Sequence, residues 1–202
     1  MKNEIFKKFF NYKYNSYNDI INIKSNHIKE ITSNFDDYLI NHSNNNIEFI
    51  NISIKDLMKQ IELDYKNELE LNNIKFEIIV DESCKKEIIE INMPKIKRVF
   101  SNIISNSVKY ISSEGEIKIE LNNNKENITF SISDNGSGVK EEIIDKIFNP
   151  LFTTDSSRKN SGLGLSIVKE NILLHKGNIK AYNNNNGGLT IEFSLPKQKE
   201  ES

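Results

Sequence analysis

The chain has 202 residues and a formal net charge of −2, from 27 basic and 29 acidic side chains. At about 100–200 residues per domain, this length predicts one compact domain, or one with a short extension, that can bury a sizeable core. The near balance of charge argues against a nucleic-acid coat or a basic membrane-surface protein, and the single cysteine, Cys84, excludes a disulfide framework and a cysteine-based metal site. No apolar run approaches about 18 residues and the N-terminus lacks a signal-peptide core, so we expect a cytoplasmic chain without membrane or nucleic-acid contact.

Residues 17–43 carry apolar side chains at helical spacing with no proline between them, which predicts one long amphipathic helix. The apolar positions are Ile20, Ile21, Ile23, Ile28, Ile31, Phe35 and Leu39. The asparagine run at 44–46 predicts a hinge, which divides the chain into a helical segment, 1–46, and a globular domain, 47–202. An apolar stripe of this length needs a partner, so it would allow a homodimer to form through this helix.

After Ile47 the apolar period changes, and the remaining chain predicts short strands interleaved with helices. Ser53, with Asp56 three residues later, has the pattern of a helix N-cap, and Pro94 suits the first turn of a second helix. We predict strands at 47–52, 76–80, 87–91, 117–121, 128–132, 178–182 and 189–195, and helices at 54–65, 94–111, 141–147 and 163–175. The strands at 76–80 and 87–91 are expected to form a hairpin. This order predicts an α/β (α+β) fold, a two-layer sandwich of a mixed, mostly antiparallel sheet covered by helices on one face and preceded by the long helix.

Asn102 and Asn106 lie four residues apart on the predicted helix 94–111 and share one of its faces. Carboxamide oxygens that face a pocket suit a hard cation such as Mg²⁺, which takes few protein ligands beside phosphate oxygens. Lys109 and Tyr110 follow one turn later and add a cation and a planar ring. In a chain this rich in asparagine, the same spacing also arises by chance or on a solvated face.

Two glycine patterns follow the asparagine pair. Asp134 ends a predicted strand and is followed by Gly136 and Gly138, which would let the backbone approach a flat ligand, while the carboxylate would suit an exocyclic amine. The same residues are also an ordinary turn signal, and both interpretations stand. Gly162 and Gly164 run into the predicted helix 163–175, whose N-terminus would favour an anion, although glycine-rich helix starts are common.

Together these segments have the order and spacing of the ATP-binding domain of the GHKL superfamily, and specifically resemble bacterial sensor histidine kinases. Residues 102–110 resemble the N box, 134–138 the first glycine box, 147–152 the F box and 161–165 the second glycine box. His175-Lys176-Gly177 lies where the family has His-Gly-Gly, and GGLTIEFSLP resembles its closing strand. The resemblance covers residues 47–196, with Asn160 and Lys176 standing where the family has glycine.

The resemblance implies a role for each matching residue. It implies catalytic roles for Asn102, for Lys109 as a phosphate contact and for Arg158 as a contact of the γ-phosphate. Asn106 would be the principal Mg²⁺ ligand, so the implied cofactors are ATP and Mg²⁺. The implied ATP-binding residues, around a mobile lid at 149–161, are Asn106, Tyr110, Asp134, Gly136, Gly138, Phe148, Phe152, Ser161, Gly162, Leu163, Gly164, Leu165 and Thr190.

Position 102 also separates the classes of the superfamily. Members that hydrolyse ATP, such as type II topoisomerases and Hsp90-type chaperones, resemble one another in carrying a glutamate there as a base for water, and Asn102 has no comparable basicity. The resemblance therefore implies phosphoryl transfer to a protein side chain. One alternative is a degenerate kinase that binds nucleotide and engages a response regulator without catalysis. Another, less favoured by the long leading helix, is an anti-sigma serine kinase.

A histidine kinase also needs an acceptor histidine on a dimerising helical hairpin. His27 is followed by Ile28 and Lys29 rather than by an acid, and its surroundings resemble the second helix of that hairpin, which lacks the acceptor. His42 lies beside the predicted hinge, and His175, at a helix end, is expected to be structural. The resemblance therefore implies that the acceptor helix is not in this chain, either because the chain is part of a longer kinase or because it is a natural protein without an acceptor. The implied partners are the acceptor histidine helix of a parent kinase, which would carry any membrane anchor, and the receiver domain of a response regulator.

Overall fold

The computed structural model describes residues 48–112, 114–154 and 162–198. The predicted helix at 17–43 and hinge at 44–46 lie outside these ranges, as do Arg158 and Ser161. The described elements fall within one unit, Asn45–Phe152 with Gly162–Ser202. Of the other unit, Met1–Asn44 with Thr153–Ser161, only Thr153 and Thr154 are described. Over the described ranges, no helix combines the length and the apolar character needed to cross a membrane.

Strands and helices alternate along the described chain largely as the sequence predicts. In order they are β1 Ile50–Ser53, α1 Ile54–Leu71, β2 Ile74–Val80, β3 Ile88–Ile91, α2 Met93–Tyr110, β4 Gly115–Asn123, β5 Asn127–Asp134, a 3-10 helix Glu141–Lys146, α3 Gly164–Leu174, β6 Asn178–Asn183 and β7 Leu189–Pro196. Each predicted element of this region is present, and α1 continues past its predicted end at 65.

The main sheet has the strand order β2-β4-β5-β7-β6. β2 pairs with β4 in parallel, whereas the β4–β5, β5–β7 and β7–β6 pairs are antiparallel. β1 and β3 form a separate two-stranded antiparallel sheet. The predicted mixed, mostly antiparallel sheet is therefore confirmed.

The predicted hairpin of β2 and β3 is wrong. Ile74 at the start of β2 lies opposite Gly115 of β4, whereas Ile91 at the end of β3 lies opposite Ile50 of β1. Alternating apolar residues identify a strand and its buried face, but they do not identify its partner. Both strands pair with segments that are distant in the sequence, which a local pattern cannot predict.

Alternate residues of the central strands point into one buried layer, as a half-buried strand requires. These buried residues are Ile117, Ile119, Leu121, Ile128, Phe130, Ile132, Ile191, Phe193 and Leu195. The three helices complete this layer. Phe100 of α2 packs edge-on against Phe130 and Phe193, with ring centroids 6.2 and 5.9 Å apart. This contact fixes α2 against β5 and β7.

Both long helices begin at side-chain caps. The Ser53 hydroxyl accepts a hydrogen bond from the Asp56 backbone N–H at 3.1 Å at the start of α1. The Asn92 carboxamide accepts one from the Lys95 backbone N–H at 3.1 Å at the start of α2, whose first turn contains Pro94. Caps of this kind satisfy N–H groups that have no partner inside the helix, and each stabilises the fold by about 1 kcal/mol. The predicted helix starts at Ser53 and Pro94 are confirmed.

The opposite face of the sheet is polar. It carries ion pairs between neighbouring strands, Lys75 with Glu116 at 2.8 Å and Lys180 with Glu192 at 2.9 Å. These pairs are partly exposed, so each contributes at most about 1 kcal/mol to stability. The helices therefore cover one face of the main sheet, as predicted.

Candidate functional site

The last turns of α2 carry four side chains that the sequence assigns to a site. Asn102 and Asn106 are half-buried, whereas Lys109 and Tyr110 are exposed. The Nδ2 atom of Asn102 is buried and has no hydrogen-bond partner among the described residues. A buried amide without a partner costs about 1–3 kcal/mol, so it marks a position where a polar ligand would be stabilising.

The carboxylate of Asp134, the last residue of β5, accepts three hydrogen bonds from described residues of the domain. Its Oδ1 accepts from the Gly136 N–H at 2.9 Å and from the Leu189 N–H at 3.2 Å. Its Oδ2 accepts from the Ser107 hydroxyl at 2.9 Å. Donors from three segments fix the plane of the carboxylate. Since a carboxylate has about four acceptor positions, Oδ2 retains the capacity to accept from a ligand amine.

The first glycine box packs against the end of α2. A Cβ atom at Gly136 would lie 2.9 Å from the Tyr110 carbonyl oxygen, so any larger residue would push the loop and the helix apart. The Ser107 hydroxyl reaches Asp134 from the same end of the helix. The segments 102–110 and 134–138, which are separate in the sequence, therefore meet in the fold.

The second glycine box begins α3 beside Asn102. Leu163 is the N-cap residue and makes no side-chain cap, and Gly164 is the first helical residue. A Cβ atom at Gly164 would lie 3.3 Å from the Asn102 Oδ1, and Leu165 is partly buried against the core. The first N–H groups of a helix have no partners within it and lie at the positive end of its dipole. This helix start is therefore chemically suited to phosphate.

The F box, residues 147–152, packs against the core through its two phenylalanines. Phe148 is buried and Phe152 is partly buried against the core, whereas Leu151 between them is exposed. Gly162 packs on the end of the F box, because a Cβ atom there would lie 2.6 Å from the Leu151 carbonyl carbon and 2.8 Å from the Phe152 carbonyl oxygen. The residues that flank 153–161 on its two sides are thus in contact.

Thr190 is buried in β7, and its hydroxyl lies 2.9 Å from that of Ser133, its register partner in β5.

Ser107 is a residue of the site that is not among the residues predicted from the sequence. It follows Ile103 and Ile104 by four and three positions on the apolar face of α2, and a polar residue on such a face was an available signal.

The asparagine turn between β6 and β7 also touches the site. Asn184 donates from Nδ2 to the Asp134 carbonyl at 2.9 Å, and the same atom lies 3.4 Å from the Thr190 hydroxyl. The sequence predicts only a polar turn at 183–186, because asparagine runs are common in this chain. The position of the run directly before Gly187 and Gly188 was the signal that could have identified it.

His175 is buried, and both of its ring nitrogens are engaged. Nε2 lies 2.9 Å from the Asn92 backbone nitrogen, and Nδ1 lies 2.6 Å from the Asn171 carbonyl oxygen. Because a backbone N–H can only donate, Nε2 is the acceptor and Nδ1–H donates to Asn171. Burial lowers the pKa of this imidazole, and the positive charge of Lys95 lowers it further. His175 thus joins the end of α3 to the start of α2.

The Ser107–Asp134 hydrogen bond brings the end of α2 to the end of β5, and Asn102 lies beside Gly164 at the start of α3, whereas Thr190 contacts Ser133 of β5. In the described ranges, no group of three or more histidine, cysteine, aspartate or glutamate side chains is arranged to hold a metal. A cation here would need amide oxygens, such as the one that Asn106 offers, together with oxygens of a bound ligand. Arg158 and Ser161 are not among the described residues, and the roles of all the predicted site residues stay predictions.

Comparison with known proteins identifies the family. Residues 92–199 match the family described as histidine kinase-, DNA gyrase B-, and HSP90-like ATPases. The chain is 35% identical over 119 residues to the sensor histidine kinase WalK of Bacillus subtilis, a match that covers 56% of this chain and 20% of that protein. It is 34% identical over 122 residues to the sensor protein KdpD of Clostridium acetobutylicum, covering 57% of this chain and 14% of that protein. The matched region is thus a small part of the length of these relatives.

Solved structures agree with this assignment. The catalytic domain of the histidine kinase ThkA superposes with a TM-score of 0.67 at 29% identity, covering 75% of this chain and 99% of that chain. ThkA in complex with the response regulator protein TrrA gives a TM-score of 0.73 at 27% identity, covering 90% of this chain and 52% of that chain. With more than half of its length matching the family, the chain belongs to the histidine kinase-, DNA gyrase B-, and HSP90-like ATPases, and its ATP-binding catalytic domain is of the sensor histidine kinase type.

Proposed function

We propose that this chain binds Mg-ATP and transfers the γ-phosphoryl group to a histidine on a separate acceptor helix. The main support is the convergence of Asp134, Asn102 and the start of α3, through the Ser107–Asp134 hydrogen bond and the contact of Asn102 with Gly164. A carboxylate that accepts hydrogen bonds suits the adenine amine, and a helix N-terminus suits phosphate. Both ends of one nucleotide thus have chemically matching groups in the same domain.

In this proposal, the two ends of the nucleotide are bound by different residues. Asp134 accepts from the adenine amine beside the buried Thr190, and Tyr110 flanks the base or the ribose. The N–H groups in the first turn of α3 bind phosphate oxygens. Lys109 and Arg158 add positive charge to the phosphate end, where charge-assisted hydrogen bonds are the strongest available.

Asn106 offers a carboxamide oxygen of the kind that Mg²⁺ accepts beside phosphate oxygens. Mg²⁺, when bound, neutralises part of the phosphate charge. Asn102, one turn earlier on α2, is too weak a base to activate water, which favours transfer over hydrolysis. The chain's own task is then to hold the phosphates in line with an acceptor nitrogen.

The nucleotide and the acceptor histidine supply all the atoms and electrons of the transfer step. The lone pair of an imidazole nitrogen forms the P–N bond as the bond from the γ-phosphorus to the β–γ bridging oxygen breaks. ADP leaves with that electron pair, and the proton on the other ring nitrogen passes to solvent. No oxidant, reductant or further co-reactant is needed.

The alternative is a non-catalytic module that binds nucleotide and engages a response regulator. ThkA, whose chain shares this fold at 27% identity, forms a solved complex with the response regulator TrrA. The same observation supports a receiver domain as a partner in either case. The predicted homodimer through the N-terminal helix is a separate proposal, because that helix lies outside the described residues.

A transfer assay separates these two functions. We expect no phosphohistidine on the chain alone when it is incubated with γ-labelled ATP and Mg²⁺, because His27 lacks the neighbouring acid that would orient an acceptor. Adding a histidine-bearing helical hairpin of a sensor kinase is expected to give acid-labile, base-stable label on that hairpin. Binding of ATP without any transfer would favour the non-catalytic module.

His27→Gln is the control for the acceptor assignment. This variant should bind ATP as the parent chain does and should label the added hairpin equally well. Label on the chain itself that disappears in His27→Gln would contradict the prediction, because it would identify His27 as the acceptor.

Replacing Asn106 by alanine tests the magnesium ligand. We expect the affinity for Mg-ATP to fall about tenfold, while the affinity for adenosine changes less than about twofold, because adenosine has no phosphates to share the cation. Titration calorimetry with both ligands gives the two ratios. Asn122→Ala, at an exposed position of β4, is the matched control and should change neither. Equal losses for Mg-ATP and adenosine would assign Asn106 to the fold rather than to the metal.

A further inference from the structure

Asn183, the last residue of β6, and the turn 184–188 that follows it make side-chain and backbone hydrogen bonds to the neighbouring loop 134–139. Within the turn, the Asn184 Oδ1 accepts from the N–H groups of Asn186 at 3.0 Å and Gly188 at 3.2 Å. Together with the backbone bonds from Asn184 N–H to the Gly188 carbonyl at 2.9 Å and from Gly187 N–H to the Asn184 carbonyl at 3.2 Å, they close the turn. The Nδ2 of Asn184 and the whole carboxamide of Asn183 are left for bonds outside it.

Asn183 binds the residue that follows the first glycine box. Its Oδ1 accepts from the Val139 N–H at 2.8 Å, and its Nδ2 donates to the Val139 carbonyl at 2.6 Å. A single carboxamide thus pairs with both backbone groups of one residue, as a neighbouring strand would. The same Nδ2 donates its second hydrogen to the Glu141 carboxylate at 2.7 Å, so every hydrogen-bonding group of the amide is used except one oxygen lone pair.

Gly138 has the backbone conformation that this pairing requires. It has a φ of +63°, and a Cβ atom there would lie 2.7 Å from the Asn183 Oδ1 and 2.7 Å from the Gly187 carbonyl oxygen. A side chain at this position would therefore be strained and would also displace the carboxamide. The glycine box and the turn fit together as a pair.

Asn184 holds the other end of the same loop. Its Nδ2 donates to the Asp134 carbonyl at 2.9 Å. Gly188 allows this approach, because a Cβ atom there would lie 2.0 Å from that carbonyl oxygen. The next residue, Leu189, donates its N–H to the Asp134 carboxylate at 3.2 Å. The turn therefore contacts the backbone and the carboxylate of Asp134 together.

We propose that Asn183 and Asn184 are positioning residues for the adenine-binding carboxylate. Asn184 fixes Asp134 at the start of the loop 134–139 and Asn183 fixes Val139 at its end, so the loop keeps the shape that presents Asp134 Oδ2 to a base. This inference rests on the proposed role of Asp134 in adenine binding. In this proposal neither asparagine contacts the nucleotide itself, and each acts on it through Asp134 and the loop 134–139.

Asn183→Asp is the test, with adenosine as the probe because it reports the base end alone. The introduced carboxylate would face the Val139 carbonyl and the Glu141 carboxylate, which lie 2.6 and 2.7 Å from Nδ2 in the parent. At pH 7.5 we expect the adenosine affinity to fall about tenfold or more by calorimetry. Asn185→Asp places the same charge at an exposed position of the turn and should leave the affinity unchanged.

Two further readouts separate positioning from a loss of folding. In the double variant Asn183→Asp/Glu141→Gln, the glutamine amide can donate to the introduced carboxylate, so we expect part of the affinity to return. Lowering the pH from 7.5 to 5 should also narrow the gap between Asn183→Asp and the parent, since protonating one of two adjacent carboxylates restores a donor. Urea unfolding of each variant shows which of them are folded. If Asn183→Asp is not folded, the adenosine affinity of the double variant is compared with that of the parent instead.

The outcomes separate this proposal from the proposed function. If the parent chain does not bind adenosine or ATP, the proposed function fails. If the parent binds and folded Asn183→Asp binds equally well, the positioning role is overturned while the adenine site stands. A loss that neither Glu141→Gln nor low pH relieves would also overturn it, because the Val139–Asn183–Glu141 contacts would then not control the site.

Discussion

Asp134→Asn is expected to lower the affinity for ATP by about ten- to a hundredfold, which corresponds to about 1.5–3 kcal/mol for a hydrogen bond to a charged group. The asparagine oxygen can still accept from Gly136 and Leu189, while its amide replaces Oδ2 beside the Ser107 hydroxyl. That hydroxyl can accept as well as donate, so the internal bonds survive. The adenine amine, in contrast, would meet a donor in place of an acceptor.

The matched comparison is with Asp134→Ala. Alanine leaves the Gly136 and Leu189 N–H groups and the Ser107 hydroxyl without their acceptor, so this variant should also lose about 1–3 kcal/mol of folding stability. Asparagine should cost less than about 1 kcal/mol. Calorimetry gives the affinities and urea unfolding the stabilities.

Guanine nucleotides provide the second readout for Asp134. The parent should prefer ATP to GTP, because guanine presents an oxygen where adenine presents its amine, and an oxygen repels a carboxylate. In Asp134→Asn the amide can donate to that oxygen, so the preference for ATP should shrink. Unchanged ATP affinity in a folded Asp134→Asn, or equal affinity of the parent for both nucleotides, would remove Asp134 from the base site.

His175→Ala is expected to lower the free energy of unfolding by about 2–4 kcal/mol at pH 7.5, since it leaves a cavity and strips the buried Asn92 N–H of its acceptor. The ring also contacts Phe49, with centroids 5.2 Å apart. His175→Gln offers an oxygen near the position of Nε2 and should lose less. Urea unfolding of the three proteins measures both differences.

The pH dependence of this effect follows from the direction of the pKa shift. Burial lowers the pKa of His175 in the folded state below its usual value of about 6.5, so the unfolded chain binds more protons as the pH falls below that value. The parent should therefore lose stability between pH 7 and pH 5, relative to His175→Gln. Parallel stability curves for the two proteins over this range would show that protonation of His175 is not disfavoured by the fold.

Local chemistry explains which parts of the fold the sequence could predict. The helix starts at Ser53 and Pro94, the apolar alternation of β4, β5 and β7, and the glycine patterns act within a few residues, so each leaves a local signal. The parallel pairing of β2 with β4 depends on contacts across the whole domain and left none. The hairpin prediction failed for that reason.

The residues of the candidate site likewise divide into those that the sequence could predict and those that it could not. Asp134, Asn102 and Gly164 belong to contiguous motifs and were predictable, although their roles in binding stay predictions. Ser107, Asn183 and Asn184 act by reaching a loop that is distant in the sequence. In a chain where asparagine is abundant, an asparagine that holds a loop resembles one that is solvated, and only the position of the run 183–186 directly before Gly187 and Gly188 set it apart.

The contact of Gly162 with Leu151 and Phe152 determines how easily the length of the segment 153–161 can change. Because Phe152 and Gly162, which flank the segment 153–161, touch each other, the domain fixes the two ends of this segment. The entropy of closing a loop between fixed ends grows slowly with its length, by about 0.6 kcal/mol for each doubling. Insertions and deletions in this segment are thus thermodynamically inexpensive, so its length can diverge while Asp134 and the loop that holds it stay unchanged.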